Sequence, residues 1–222
     1  MATDPIPSAD SLRERKKART RAALIETSQR LFAERGYQST TLEEICEEVG
    51  IRPQTLLRYF ESKAHLAMAP WTFQLEVVRH LLGRPGRTES AVDVWRGFVR
   101  AEAREAMAPS SPLVGNMITN HAAFNAWADK DPILVAMNSD LERRAQAVLA
   151  EALAEELGPD GDPLHPTLVA AILIVGRRAV YERWCASPRR PPTLLDDQLA
   201  VIDYALASLP KSSARRLLGK GP

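Results

Sequence analysis

Residues 40–66, TTLEEICEEVGIRPQTLLRYFESKAHL, constrain the fold of this chain more than any other stretch. Leu42, Ile45, Cys46 and Val49 recur at i, i+3, i+4 and i+7, the spacing that puts side chains on one face of an α-helix. Thr40 or Thr41 supplies the N-cap, a short hydroxyl that accepts from an orphan backbone N–H. Gly50 closes the helix, because glycine enters the left-handed conformation without steric penalty, and Ile51 then folds back on the core. A second helix starts at Pro53, whose fixed φ and missing N–H suit a first turn, with Leu56 and Phe60 on its inner side. Its outer side carries Arg52, Gln54, Thr55, Arg58 and Tyr59, donor-rich side chains of the kinds that meet base edges and phosphates. Two short helices around a glycine turn, the second polar at its N-terminal end, predict a helix-turn-helix whose second helix enters a DNA major groove. Composition alone leaves an ordinary helical hairpin equally open.

The wider spacing narrows the choice. Phe32-Ala33-x2-Gly36-Tyr37 is followed by Thr41-x3-Ile45-Cys46-x2-Val49-Gly50-Ile51-x3-Thr55-Leu56-x2-Tyr59-Phe60-x2-Lys63-x2-Leu66. This pattern resembles the N-terminal domain of the TetR family of transcriptional regulators, over residues 20–66. The resemblance implies an all-α chain with an N-terminal three-helix helix-turn-helix DNA-binding domain and a larger helical ligand-binding and dimerisation domain. We expect the first, with its basic arm, at residues 13–66 and the second at 67–210, between a disordered segment at 1–12 and a basic disordered tail at 211–222. Pattern and resemblance together nominate Arg19, Thr40, Thr41, Arg52, Pro53, Gln54, Thr55, Arg58, Tyr59 and Lys63 as DNA contacts. Three residues depart from the family pattern: Arg52 where a small Ser is common, Gln54 where Gly or a small residue is common, and Leu57 where a Tyr usually contacts a phosphate. Leu57 puts one backbone contact in question, and Arg52 and Gln54 as base readers would make the operator preference particular to this chain.

The net charge is only +1, but the charges are segregated. Residues 13–21, RERKKARTR, hold six basic side chains against one acid, whereas residues 67–210 hold 14 basic and 18 acidic ones. The basic run leads into an amphipathic helix (Leu24, Ser28, Leu31, Phe32), where cations would meet phosphates; its alternative is a solvated face. Glu43, Glu44, Glu47 and Glu48 suit the helix dipole in the first turn and otherwise face solvent, with no histidine near enough to suggest a metal. Cys46 and Cys185 have neither metal-ligand nor disulfide-framework spacing and read as small buried hydrophobes, with a reactive Cys185 as the alternative. His65, His80, His121 and His165 are scattered, so neither an enzyme nor a cofactor is expected. The polar start, MATDPIPSAD, is unlike a signal peptide, and no run reaches 18 apolar residues, which predicts a soluble, cytoplasmic protein away from membranes.

Beyond residue 62 the pattern is helical throughout. Ser62 caps a helix reaching Leu82, with a kink or break expected near Ala69 because Pro70 removes a donor and clashes with the preceding turn. Further helices are expected from Thr88 to Met107, through Met117–Trp127, from residue 133 to a stop at Gly158, from His165 to Ser187, and from Thr193 to Leu209. The apolar run LVAAILIVG reads as a buried helix. Leu195, Leu199, Ile202, Leu206 and Leu209 recur at intervals of 4, 3, 4 and 3, a packing seam. The resemblance implies that these last two helices pair with those of a second subunit, with Ile172, Val175, Leu195, Leu199, Ile202 and Leu206 at the homodimer interface; a seam packed within one subunit is the alternative.

Aromatic and methionine side chains at helical spacing are ordinarily core. The resemblance implies that here they also surround a cavity for a small effector, which nominates Trp95, Phe98, Met117, His121, Phe124, Trp127, Tyr181 and Trp184 as its walls. Asn120, His121, Asn125 and Arg178 are candidates for its polar groups. An apolar or amphipathic effector is expected, acyl-CoA-like or fatty-acid-like by similarity of the basic and RYF-x-SK stretches to such members. The functional expectation is a dimeric repressor released from a palindromic double-stranded DNA operator by its effector. A helical small-molecule-binding protein and a purely architectural DNA binder are the alternatives.

Overall fold

The structure, a computed structural model, describes residues 9–107, 128, 130–159, 161–187 and 192–218. Among them regular structure is α-helical and no strand occurs. The helices are α1 (Ala9–Arg35), α2 (Leu42–Val49), α3 (Pro53–Leu57), α4 (Lys63–Leu82), α5 (Ala91–Met107), α6 (Pro132–Leu157), α7 (Leu164–Ala186), α8 (Leu194–Ala207) and α9 (Lys211–Leu217). The stretch expected to be helical around Met117–Trp127 lies outside the described residues, as does most of SPRRPP. The chain divides into two compact units within α4, between Ala69 and Pro70.

The first unit closes around Leu24, Ile25, Leu31 and Phe32 of α1, Ile45 and Cys46 of α2, Leu56 of α3, Phe60, and Leu66, Ala67 and Met68 of α4, all buried. Residues 9–12, expected to be disordered, are the first turn of α1, so the basic run is helical from its outset. The expected break at Pro70 does not occur, because α4 runs through it. Pro70 has no N–H for the Leu66 carbonyl four residues back, and at the next residue buried Gln29 reaches across from α1, its Nε2 donating to the Ala67 carbonyl at 3.0 Å.

The second unit has its main core in Val78, Leu82, Val92, Trp95, Val99, Leu149, Leu153, Leu157, Val169, Leu173, Ile202 and Leu206, drawn from α4 to α8. Two expectations are corrected here. The tail is not disordered: residues 211–217 form α9, Leu217 is fully buried in this core, and Arg216 Nη1 donates to the Leu157 carbonyl at 2.7 Å, serving the C-terminus of α6. The seam of α8 faces inward, with Ile202 at 1% and Leu206 at 7% exposure inside their own unit and Leu199 packed against them. One α8 side then completes the core, while the open side of the helix pair presents Val175 and Tyr204, at 42% and 70% exposure.

The apolar stretch of α7 has the length and composition of a membrane span, with a mean hydropathy of 1.2 over 18 residues of which 33% are buried. In the fold it packs on both α6 and α8 and carries Arg177 and Arg178, which pair with Glu102 of α5 and Glu142 of α6. The α7–α8 approach is close at Gly176, where an added Cβ would stand 2.5 Å from Val201 Cγ1 and 3.2 Å from Cγ2, so the valine or the helices would have to shift. Gly176→Ala is expected to cost about 1–3 kcal/mol of overpacking in urea denaturation, and Val201→Ala in the same chain should recover most of it. A cost unchanged by the second substitution would mean that the helices do not meet there.

Candidate DNA-reading surface and ligand cavity

The turn between α2 and α3 is built by three local devices. Thr41 is the N-cap of α2: its Oγ1 accepts from the Glu44 N–H at 3.1 Å while Glu44 Oε2 accepts from the Thr41 N–H at 2.7 Å, a reciprocal capping box. That backbone N–H, followed by the Thr41 hydroxyl, holds the Glu44 carboxyl below its usual range. Gly50 sits at φ 73°, and Ile51 N–H donates to the Cys46 carbonyl at 2.9 Å, which reverses the chain. Pro53 then opens α3 with Arg52 as its extended N-cap.

This geometry sorts the nominated contacts. Arg52, Pro53, Gln54 and Arg58 are exposed and Thr55 and Tyr59 half-buried on α3 and just beyond it, with Leu57 51% exposed among them. Thr40 is different: it is 1% exposed and its hydroxyl donates to the Gly36 carbonyl at 2.9 Å, so it holds the α1–α2 connection and turns away from any ligand. Lys63 lays its ammonium 4.3 Å from the centre of the Tyr37 ring. Arg19 is exposed on α1, and two residues on Arg21 covers the Phe60 ring at 5.2 Å. Of the acids of α2, Glu43, Glu47 and Glu48 are exposed as expected and Glu44 is partly so; Glu48 also pairs with Arg30 and Glu44 with Arg35, surface pairs that join α2 to α1.

In the second unit a cavity of about 80 Å³ opens between α4, α5, α6 and α7. Its apolar wall includes Trp71, Leu75, Trp95, Phe98, Leu141 and Ile174, and its polar wall Gln74, Asn138, Glu142, Arg177 and Arg178. Trp95 and Phe98 stand 5.2 Å apart, centre to centre. Of the nominated ligand residues, Trp95 and Phe98 are therefore at the cavity. Tyr181 and Trp184 are not; they fill a separate cluster with Ala103, Ala106, Val180 and Leu194, where burial and then nearby Glu102 push the Tyr181 phenol far up. Met117, His121, Phe124 and Trp127, with Asn120 and Asn125, lie outside the described residues.

The polar wall is a network. Arg177 Nε donates to Glu102 Oε2 at 2.9 Å, and its Nη2 to Glu102 Oε1 at 2.8 Å and Gln74 Oε1 at 3.0 Å; Gln74 Nε2 donates to Glu102 Oε1 at 2.7 Å. Burial alone would lower the Arg177 pKa, but the facing Glu102 outweighs it and the pKa rises. Beside it Arg178 Nη1 donates to both oxygens of Glu142, at 2.8 and 3.0 Å. Sequence reasoning passed over Arg177, yet a signal existed: Glu102 falls on the buried face of α5 in register with Trp95, Val99 and Ala106, and a carboxylate there demands a cation.

Comparison with known proteins agrees with this picture. Residues 24–69 match the family model for bacterial regulatory proteins of the tetR family, and residues 125–207 match the model of the MftR C-terminal domain. The HTH-type transcriptional regulator TcmR of Streptomyces glaucescens is 29% identical over 209 residues, 94% of this chain and 90% of that protein. Among solved structures, SmeT, the repressor of the Stenotrophomonas maltophilia multidrug efflux pump SmeDEF, superposes with a TM-score of 0.61 at 18% identity, covering 85% of this chain and 89% of SmeT. Its complex with triclosan gives 0.60 at 21% identity, covering 87% and 93%. The fatty acid degradation regulator FadR of Bacillus halodurans gives 0.59 at 14%, covering 85% and 98%. At such identities the structural likeness is one of fold. Fold, helix-turn-helix and family patterns together define a transcriptional regulator rather than an enzyme. The chain belongs to the TetR family.

Proposed function

We propose that this regulator is a repressor that binds a palindromic operator as a homodimer and leaves it when a small molecule fills the cavity of the second unit. The observation that carries this reading is the pairing, in one chain, of a helix-turn-helix with exposed donors on α3 and an aromatic-walled cavity with a polar side. Two copies of α3 would enter successive major grooves, and an effector that favours one separation of the two would shift the population away from the DNA-bound form. The reading is supported by SmeT, named as a repressor and solved with triclosan. For the homodimer face the open side of α7 and α8 is the better candidate than the inward seam: Ile172, Val175, Val201 and Tyr204 line a groove there, edged by the Arg183–Asp197 pair at 2.6 Å. A two-fold interface needs one self-complementary patch, and this one offers apolar and oppositely charged groups together. Such a protein works beside the chromosome, in the cytoplasm.

Genomic fragments retained by the purified protein should share an inverted repeat. On that sequence, Arg52→Ala with Gln54→Ala should cost about 1–3 kcal/mol for each base the variant no longer reads and leave binding to unrelated DNA unchanged. Retained fragments with no common sequence would defeat the operator reading, and equal binding by the variant would remove Arg52 and Gln54 as readers.

A further inference from the structure

We propose that the cavity selects an uncharged, flat aromatic molecule bearing a carbonyl or similar acceptor oxygen, and not a fatty acid or acyl-CoA; this rests on the cavity being the effector site. Charges decide the first half of the selection. Arg177 and Arg178 are each matched by a carboxylate, Glu102 and Glu142, so the described wall carries no cation in excess. A ligand carboxylate would have to take Arg178 from Glu142, whose side chain is only 22% exposed, and so leave that carboxylate without its counter-ion. A ligand ammonium would face two guanidinium groups.

Hydrogen-bond donors, by contrast, are in surplus. Among the described residues, Nη1 of Arg177 and Nη2 of Arg178 make no hydrogen bond, nor does the amide of Asn138. All three residues line the cavity. A guanidinium carries five N–H groups in a fixed fork and accepts nothing, so what remains on this wall asks for acceptor oxygens that bring no charge. The apolar wall supplies Trp71, Trp95 and Phe98, aromatic side chains suited to a ring system, with the Arg177 guanidinium 5.7 Å from the centre of the Phe98 ring.

The test titrates the full-length protein by calorimetry with three probes: 9-fluorenone, fluorene and decanoate. Fluorenone and fluorene share one planar frame and differ in the carbonyl. Because a hydrogen bond from a charged donor is the strong kind, fluorenone is expected to bind roughly 10- to 100-fold tighter than fluorene, with decanoate weaker than fluorenone. In Arg178→Met with Glu142→Met, which removes the pair without stranding either charge, the advantage of the ketone should shrink several-fold; Asn138→Leu provides a second reading should the double variant fold poorly. Equal binding of fluorenone and fluorene, tighter binding of decanoate, or binding of none of the three overturns the ligand class. Gel-shift with fluorenone present is a separate measurement: bound fluorenone that leaves the operator complex intact keeps the ligand class and overturns the release reading alone.

Discussion

Changing Arg15, Lys16 and Arg19 together to glutamine is expected to weaken binding to every DNA sequence alike and to flatten its salt dependence by about 2.7 units of slope, at about 0.9 per phosphate contact. The reason lies in the helical form of the basic run. A flexible arm could bring all six cations of residues 13–21 to DNA, but α1 begins at Ala9 and splits them into two faces. Arg13, Lys17 and Arg21 follow at i, i+4 and i+8 on one side, and Arg15, Lys16 and Arg19 lie on the other. Arg21 turns the first side onto the Phe60 ring of its own unit, which leaves the second to meet phosphates. Glutamine at Arg13 and Lys17 should therefore change the slope by less than one unit. All five side chains are exposed, so neither set should alter the melting of the protein. Equal losses from the two sets would show that the helix unwinds on DNA, and no loss from either would remove it from the interface.

Glu102→Ala should destabilise the second unit by about 3–5 kcal/mol, the usual consequence of stranding a buried charge. Glu102 is 8% exposed and receives three hydrogen bonds, two from Arg177 and one from Gln74, so solvent has little access with which to replace it. Glu102→Gln keeps an acceptor while losing the charge and should fall between alanine and the natural residue. Glu102→Leu with Arg177→Met removes both charges and should be less damaging than Glu102→Ala alone, since neither is left unpaired. Urea denaturation of the four proteins measures this; a loss under about 1 kcal/mol for Glu102→Ala would mean that water or another group neutralises Arg177.

Much of the reading unit was legible because its signals are local. A glycine at positive φ, a proline at a first turn and an i, i+3, i+4, i+7 stripe each act within a few residues, so the sequence displays cause and effect side by side. The choice between Thr40 and Thr41 was local too: Thr41 has Glu44 three residues on, the capping-box spacing, and Thr40 has the Gly36 carbonyl four residues back. The second unit was less legible because its contacts join residues far apart in the sequence. Periodicity shows that one side of α8 is apolar without saying what covers it, and Ile202 and Leu206 proved to face α5 and α7 of their own chain. Trp95 and Trp184 are the same residue type at similar spacing, yet only Trp95 borders the cavity, a difference set by where helices cross. In the tail, four cations outweighed two leucines in the composition, whereas in the fold the buried Leu217 decides.

Leu217 also sets an order of events during synthesis. The reading unit is complete at residue 69, but the core of the second unit lacks a side chain until residue 217 has left the ribosome. Those 148 further residues (217 − 69) take roughly 7–30 s to add at about 5–20 residues per second. For that interval the nascent chain holds every residue of the helix-turn-helix unit beside a second core that still lacks Leu217.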